Sequence, residues 1–211
     1  MPETAHIRNS DWTVAPLPQD LIDRRGEITG PADRKMIINA LNSGSKVFMA
    51  DFEDANSPTW ENCIEGQINL RNADNRTITY EYPEGKKYKL KETWQYSKFV
   101  RTAGVLKKNM SHWTENRFLR AYLISGFIFT IMRKQTLIAN GSGLYFYLPK
   151  MESHLEAGRW NDVFVFAQNE LGIPQGMIKA IVLIETILAT FEADEILYEL
   201  REYSAGLNCR R

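Results

Sequence analysis

Two stretches place carboxylates where an apolar run stops. Residues 181–186 read IVLIET, and residues 46–54 read KVFMADFED. Glu185 follows four apolar residues; Glu53 and Asp54 close the other run. In parallel α/β folds, chemistry collects at the carboxyl ends of strands, and these acids stand where that rule looks. A carboxylate in an apolar setting is costly without a cation or a hydrogen-bond donor beside it, which favours a functional reading of Glu185. The competing reading is that strand-end acids cap the next helix or face solvent. For Glu53 and Asp54, followed by Ser57-Pro58, both readings stay open.

The elements that must position these acids can be read from periodicity. Residues 1–23, with APLP at 15–18, read as an extended lead-in, and Gly30-Pro31 is a breaker pair. Residues 32–43 carry Met36, Ile37, Ala40 and Leu41 at helix spacing, with Gly44 as a stop. KVFMADFED reads as a strand. A helix opens at Ser57-Pro58 and continues with Cys63, Ile64, Ile68 and Leu70 as its apolar positions. Residues 76–90 hold two β-rich runs around Pro83-Glu84-Gly85, a hairpin signal. GLYFYLPK at 143–150 reads as a buried strand closed by proline. A helix over 151–172 stops at Gly172. MIKAIVLIET at 177–186 is a second buried strand, 192–205 a helix, and GLNC at 206–209 opens a further strand. Continuously apolar strands alternating with helices predict a parallel α/β sheet, either a barrel or a doubly wound fold.

Bulk properties exclude several classes. The 211 residues carry 26 basic and 26 acidic side chains, so no net charge draws the chain to nucleic acid or an anionic membrane. Cys63 and Cys209 read as free thiols, and three scattered histidines suggest no metal cluster. The polar start MPETAHIRNSDW lacks an apolar signal core, and AYLISGFIFTIM at 121–132 is too short to span a bilayer. A cytoplasmic location is expected. GSG at 141–143 lacks the spacing of a phosphate loop and reads as a turn.

Several long stretches, taken together, resemble malate synthase of the shorter A-type isoform. They are RRGEITGPADRKMIINALNSGSKVFMADFEDANSPTWENCIEGQINLR (24–71), GSGLYFYLPK (141–150), ELGIPQGMIKAIVLIETILATFEADEILYELRE (170–202) and GLNC (206–209). The resemblance implies an α/β fold that is part of a TIM-type (β/α)8 barrel, incomplete in this chain. Residues 1–23 would be a lead-in from the N-terminal clasp, and 24–211 the N-terminal part of the barrel's catalytic domain, with the C-terminal domain absent. The implied reaction condenses acetyl-CoA with glyoxylate and water to malate and CoA, in the glyoxylate cycle. Mg2+ is the implied cofactor, with Glu185 of the Leu183-Ile184-Glu185-Thr186 stretch as one ligand. Arg101 of FVRTAG is the carry-over for the arginine that stabilises the enolate. Glu53 and Asp54 would bind substrate or support the site.

Departures from the family pattern qualify that picture. The second metal-binding aspartate belongs to a G-L-N-x-G-x-W-D stretch, whereas this chain reads GLNCRR, with Arg210 in the glycine's place. Tyr203 stands where the pattern has histidine, and no residue here matches the catalytic base. The chain as a fragment is therefore expected to be inactive. A citrate-lyase-β-like CoA-thioester barrel is the alternative family, and a pseudogene-type fragment the alternative status; the long match at 24–71 favours malate synthase.

Residues 94–135 break the resemblance, with poor periodicity for either helix or strand. NRFLRAYLISGFIFTIMRKQ (116–135) can be written in codons that, read two nucleotides later, begin P-I-S-A-S-L-F-D-F-G-L-Y-F-Y-H-N-A-K. That is a helix of the family type. Two compensating frameshifts bracketing this segment would explain the break, and the apolar IFTIM run would then be an aggregation liability. The gene's own nucleotide sequence checks this. An open, family-like shifted frame is expected there, and a closed or unrelated one contradicts the reading.

Overall fold

The computed structural model describes residues 2–57, 59–92, 98–102 and 143–209. In chain order, the described elements are α1 (Ala5–Asn9), β1 (Glu27–Pro31), α2 (Arg34–Asn42), β2 (Val47–Asp51), α3 (Trp60–Asp74), β3 (Thr79–Glu81), β4 (Lys87–Lys89) and β5 (Lys98–Thr102). After these come β6 (Leu144–Leu148), α4 (His154–Leu171), β7 (Ile178–Ile184), α5 (Ile187–Phe191), α6 (Ala193–Glu199) and β8 (Ser204–Cys209). They fall into two units. One is Ile22–Thr102; the other joins the residues up to Leu21 to those from 143 onward.

In the unit of residues 22–102, β1, β2 and β5 form a parallel set. Glu27 faces Val47 in register, and Ala50 faces Arg101. The parallel links are made by α2, and by α3 followed by the β3–β4 hairpin. Asp33 caps α2 by accepting from the Met36 N–H at 2.8 Å, and Thr59 caps α3 by accepting from Asn62 at 3.2 Å. Ile37, Ile38 and Leu41 of α2 are fully buried with Phe48 of β2. The buried face of α3 differs from the sequence expectation. Gly66, Asn69, Leu70 and Ala73 point inward, while Ile64 is exposed and Cys63 and Ile68 are half-buried. The reason is closeness: a Cβ at Gly66 would lie 2.6 Å from the Phe52 ring and 2.9 Å from the Ala32 methyl. Asn69 follows inward because its amide donates to the Ala32 carbonyl at 3.0 Å.

The β5 strand corrects the reading of 94–135 as lacking strand character. Residues 98–102 pair with β2, so a partner supplies the order that five residues of sequence do not announce. The rest of that segment, including IFTIM and the codon-shifted run, lies outside the described residues.

In the other unit, β6, β7 and β8 are also parallel, with Leu144 opposite Ile178 and Val182 opposite Leu207. Every residue of β6 and β7 is buried, as their apolar runs predict. Leu144, Phe146, Leu148, Ile178, Ala180, Val182 and Ile184 pack with Trp160 and Phe164 of α4. Period two then sends Lys179, Ile181 and Leu183 to the opposite face. Gly172 ends α4 in the left-handed conformation, φ 57°, as its place after the helix predicts.

Two expectations here need correction. The helix expected over 192–205 is α6 alone, preceded by the separate α5. The chain turns at Leu200, whose carbonyl accepts from the N–H groups of Tyr203 (2.8 Å) and Ser204 (2.7 Å). Ser204 and Ala205 therefore begin β8 rather than finish a helix. Nor is the lead-in simply extended: residues 2–9 are helical, as is the turn Gln19–Leu21. Five residues cannot sustain an α-helix in water. Here Ile7 is buried, and Thr4 and Arg8 both reach Glu195 of α6, the hydroxyl at 2.7 Å.

Glu195 is 1 % exposed. Burial pushes its carboxyl up, but the Thr4 hydrogen bond and the Arg8 charge outweigh burial and hold it below the ordinary value of 4.5. A depressed folded value stabilises the fold above the unfolded value and loses that contribution as pH falls through the folded one. Thermal unfolding midpoints measured downward from about pH 5 should therefore fall more steeply for the natural chain than for Glu195→Gln. Equal slopes would contradict the assignment.

Candidate functional site

The carboxyl end of β7 carries the first candidate. Glu185 is the residue after the strand, not a residue within it. Thr186, next in sequence, caps α5 by accepting from the Ala189 N–H at 3.1 Å, and its hydroxyl donates to the Met151 carbonyl at 2.6 Å. Glu185 is thus clamped between a buried strand and a helix cap. This corrects the expectation of a buried acid: the residue is exposed, although its side chain is only 23 % so. The strand ends before this point, and the carboxylate lies at the margin of the core, mostly covered and partly open to water.

One oxygen of that carboxylate is engaged. Glu185 Oε1 accepts from the backbone N–H of Lys150 at 2.8 Å and lies 3.6 Å from the Lys150 ammonium. Oε2 has no hydrogen bond among the described residues. Lys150 follows β6 and Pro149 in a left-handed conformation, φ 56°, unfavourable for a side chain with a Cβ. That turn aims its N–H at Glu185. Nearby in sequence, His154 donates its backbone N–H to Glu192 Oε2 at 2.8 Å, and its Nδ1 lies 2.6 Å from the same oxygen, anchoring the start of α4. On β8, the Asn208 amide bonds the Tyr147 hydroxyl of β6.

The second set of candidates lies in the unit of residues 22–102. Strand β2 ends at Asp51, so Glu53 and Asp54 stand in the turn beyond it rather than closing the strand. Glu53 is half-buried and Asp54 exposed. The acid that closes the strand is Asp51, which is 7 % exposed. Its two oxygens accept from the N–H groups of Glu53 (2.8 Å) and Ala55 (3.1 Å). Sequence reasoning passed over Asp51; its place two residues before Glu53, at the last buried position of the run, was the available signal. Arg101 lies in β5 beside Ala50, so Arg101, Glu53 and Asp54 belong to the same end of one parallel set. Glu185 and Lys150 belong to the other unit.

Tyr203, at the position where the family pattern has histidine, is 3 % exposed. Its hydroxyl donates to Gln175 Oε1 at 2.8 Å and accepts from Gln168 at 3.2 Å, and burial pushes its ionisation up. It acts as a core residue. Among the described residues, no group of three or more His, Cys, Asp or Glu side chains forms a metal site. No described helix is long and apolar enough to cross a membrane.

A family model, malate synthase, TIM barrel domain, matches residues 98–211. The chain belongs to the malate synthase family. It is similar to the malate synthase of Myxococcus xanthus, 58 % identical over 211 residues, covering 100 % of this chain and 39 % of that protein. A structure of Haloferax volcanii malate synthase at 3 mM glyoxylate matches with a TM-score of 0.63 at 14 % identity, over 93 % of this chain and 53 % of that one. Its magnesium/glyoxylate complex matches with a TM-score of 0.56, again at 14 % identity, over 83 % and 47 %. The chain thus spans about two fifths of the curated relative's length. Membership of the malate synthase family decides against the citrate-lyase-β alternative.

The Lys150 backbone offers a direct test. Lys150→Gly should exceed Lys150→Ala in stability by about 1 kcal/mol in urea unfolding, because only glycine adopts φ 56° without a Cβ clash. Equal stabilities would show that this turn is unstrained.

Proposed function

We propose that this chain carries one carboxylate ligand, Glu185, of a divalent-cation site in a malate synthase that condenses acetyl-CoA with glyoxylate and water to malate and CoA. The observation that supports it is the state of the Glu185 carboxylate at the end of β7. One oxygen is fixed by Lys150, and the other has no hydrogen bond among the described residues. The donor chemistry fits Mg2+, a hard cation that prefers carboxylate oxygen. When bound, the cation would polarise the glyoxylate aldehyde. Glu185 would hold the cation, and the Lys150 N–H holds Glu185.

Arg101 is the residue for the enolate: its fixed positive charge suits the oxygen that turns anionic when acetyl-CoA loses a methyl proton. Glu53 and Asp54 support the substrate end of β2. Residues 24–211 would form the N-terminal part of the catalytic barrel, in a protein of the cytoplasm.

Manganese titration of the purified chain, followed by electron paramagnetic resonance, tests the metal assignment. A cation held by one protein carboxylate keeps most of its waters, so binding should be weak, roughly millimolar. Glu185→Gln should weaken it about tenfold further. Equal affinity in the variant would remove Glu185 from the site.

A further inference from the structure

Lys179 is the one lysine among the described residues buried to this degree, at 4 % exposure. An ammonium has three N–H donors. This one makes a single hydrogen bond among the described residues, to the Glu202 carbonyl at 2.9 Å. Burial without full pairing pushes its ionisation down, opposed by the Glu202 charge. Lys179 is the second residue of β7, so about 20 Å of strand separates it from Glu185. It cannot serve the site at the carboxyl end.

The lysine lies at the floor of an open groove of about 770 Å3, a volume that would admit a small molecule. Pro16, Leu17 and Val165 supply apolar wall, and Asn169 and Tyr203 stand beside them. The strap at Ala15–Pro18 is held by the Ala15 N–H, which donates to the Arg201 carbonyl at 2.8 Å. The Tyr203 hydroxyl and the Gln175 amide are already committed to one another and to Gln168, Val165 and Asn169. Of the two buried polar side chains in the lining, Lys179 and Tyr203, the unspent hydrogen-bonding capacity is therefore concentrated on the Lys179 ammonium.

We propose that this groove binds a small organic carboxylate with an apolar body, its carboxylate held by the Lys179 ammonium. The spare N–H donors and the charge of the ammonium suit a carboxylate oxygen, which would accept a charge-assisted hydrogen bond. Glu202 lines the same groove and opposes any anion there, so a monoanionic carboxylate asks less of the single Lys179 charge than a dianionic phosphate does. The apolar wall takes the rest of the ligand. This site is independent of the reading of Glu185.

Calorimetric titration of the full chain with hexanoate tests the proposal, with hexanamide and inorganic phosphate as comparisons. Saturable hexanoate binding is expected, about tenfold tighter than hexanamide, the worth of one charge-assisted hydrogen bond. Lys179→Met keeps the volume, removes the charge and should lose about the same factor. Leu17→Trp, at an exposed wall position, should obstruct the groove without touching the lysine. No saturable hexanoate binding, equal affinity for hexanamide, or unchanged binding in a folded Lys179→Met would overturn the proposal. Phosphate binding as tight as hexanoate would overturn the choice of carboxylate. If Lys179→Met does not fold, as near-ultraviolet circular dichroism would show, the hexanamide comparison and Leu17→Trp decide.

Discussion

The contact between Glu185 and Lys150 exists because two buried strands end with a two-residue stagger: β6 stops at Leu148, opposite Val182, while β7 runs on to Ile184, which brings the turn after β6 level with the end of β7. Strands β6 and β7 lie side by side in register, Leu148 opposite Val182, and each is buried along its whole length. Past their ends the chain turns, with Met151 folding back into the core while Lys150 and Glu185 lie at its margin. Lys150 turns through a left-handed backbone, and its N–H then points at the Glu185 carboxylate. Thr186 fixes the other side by capping α5 and bonding Met151. The carboxylate's position is thus set by backbone geometry on both flanks. A long flexible side chain held in this way needs little further ordering to bind a cation.

That arrangement explains which parts of the sequence could be read. LYFYL and IKAIVLI are apolar on both faces, and only a covered parallel strand suits them. Gly172 after an amphipathic run could only end a helix by the left-handed route. Glu185 stood out because an acid ended such a run. At β2 the acids came in a cluster, Asp51, Glu53 and Asp54, and the pattern alone did not say which one the strand buries. The answer depends on a turn whose N–H groups point back at Asp51.

The misread elements share a cause: their order comes from partners distant in sequence. The helix of residues 5–9 is too short to stand alone and rests on Glu195. The inward face of α3 is built on Gly66 and a buried asparagine, which no hydrophobic count selects. Strand β5 exists because β2 pairs with it. Lys179 is similar: inside an apolar strand its charge is plain in the sequence, but only the folded chain shows how few partners it has. Exposed Ile187, Leu188 and Phe191 on α5, immediately after Glu185, show apolar surface beside the candidate site.

The central claim is that Glu185 offers its uncommitted oxygen to a divalent cation while Lys150 holds the other. Crystals of the chain soaked in manganese and measured at its absorption edge test this most directly. The account predicts an anomalous peak about 2.1 Å from Glu185 Oε2, the distance of a small hard cation from carboxylate oxygen, with the Lys150 N–H still bonded to Oε1. A peak elsewhere in the chain, with Glu185 Oε2 left in water, would contradict it.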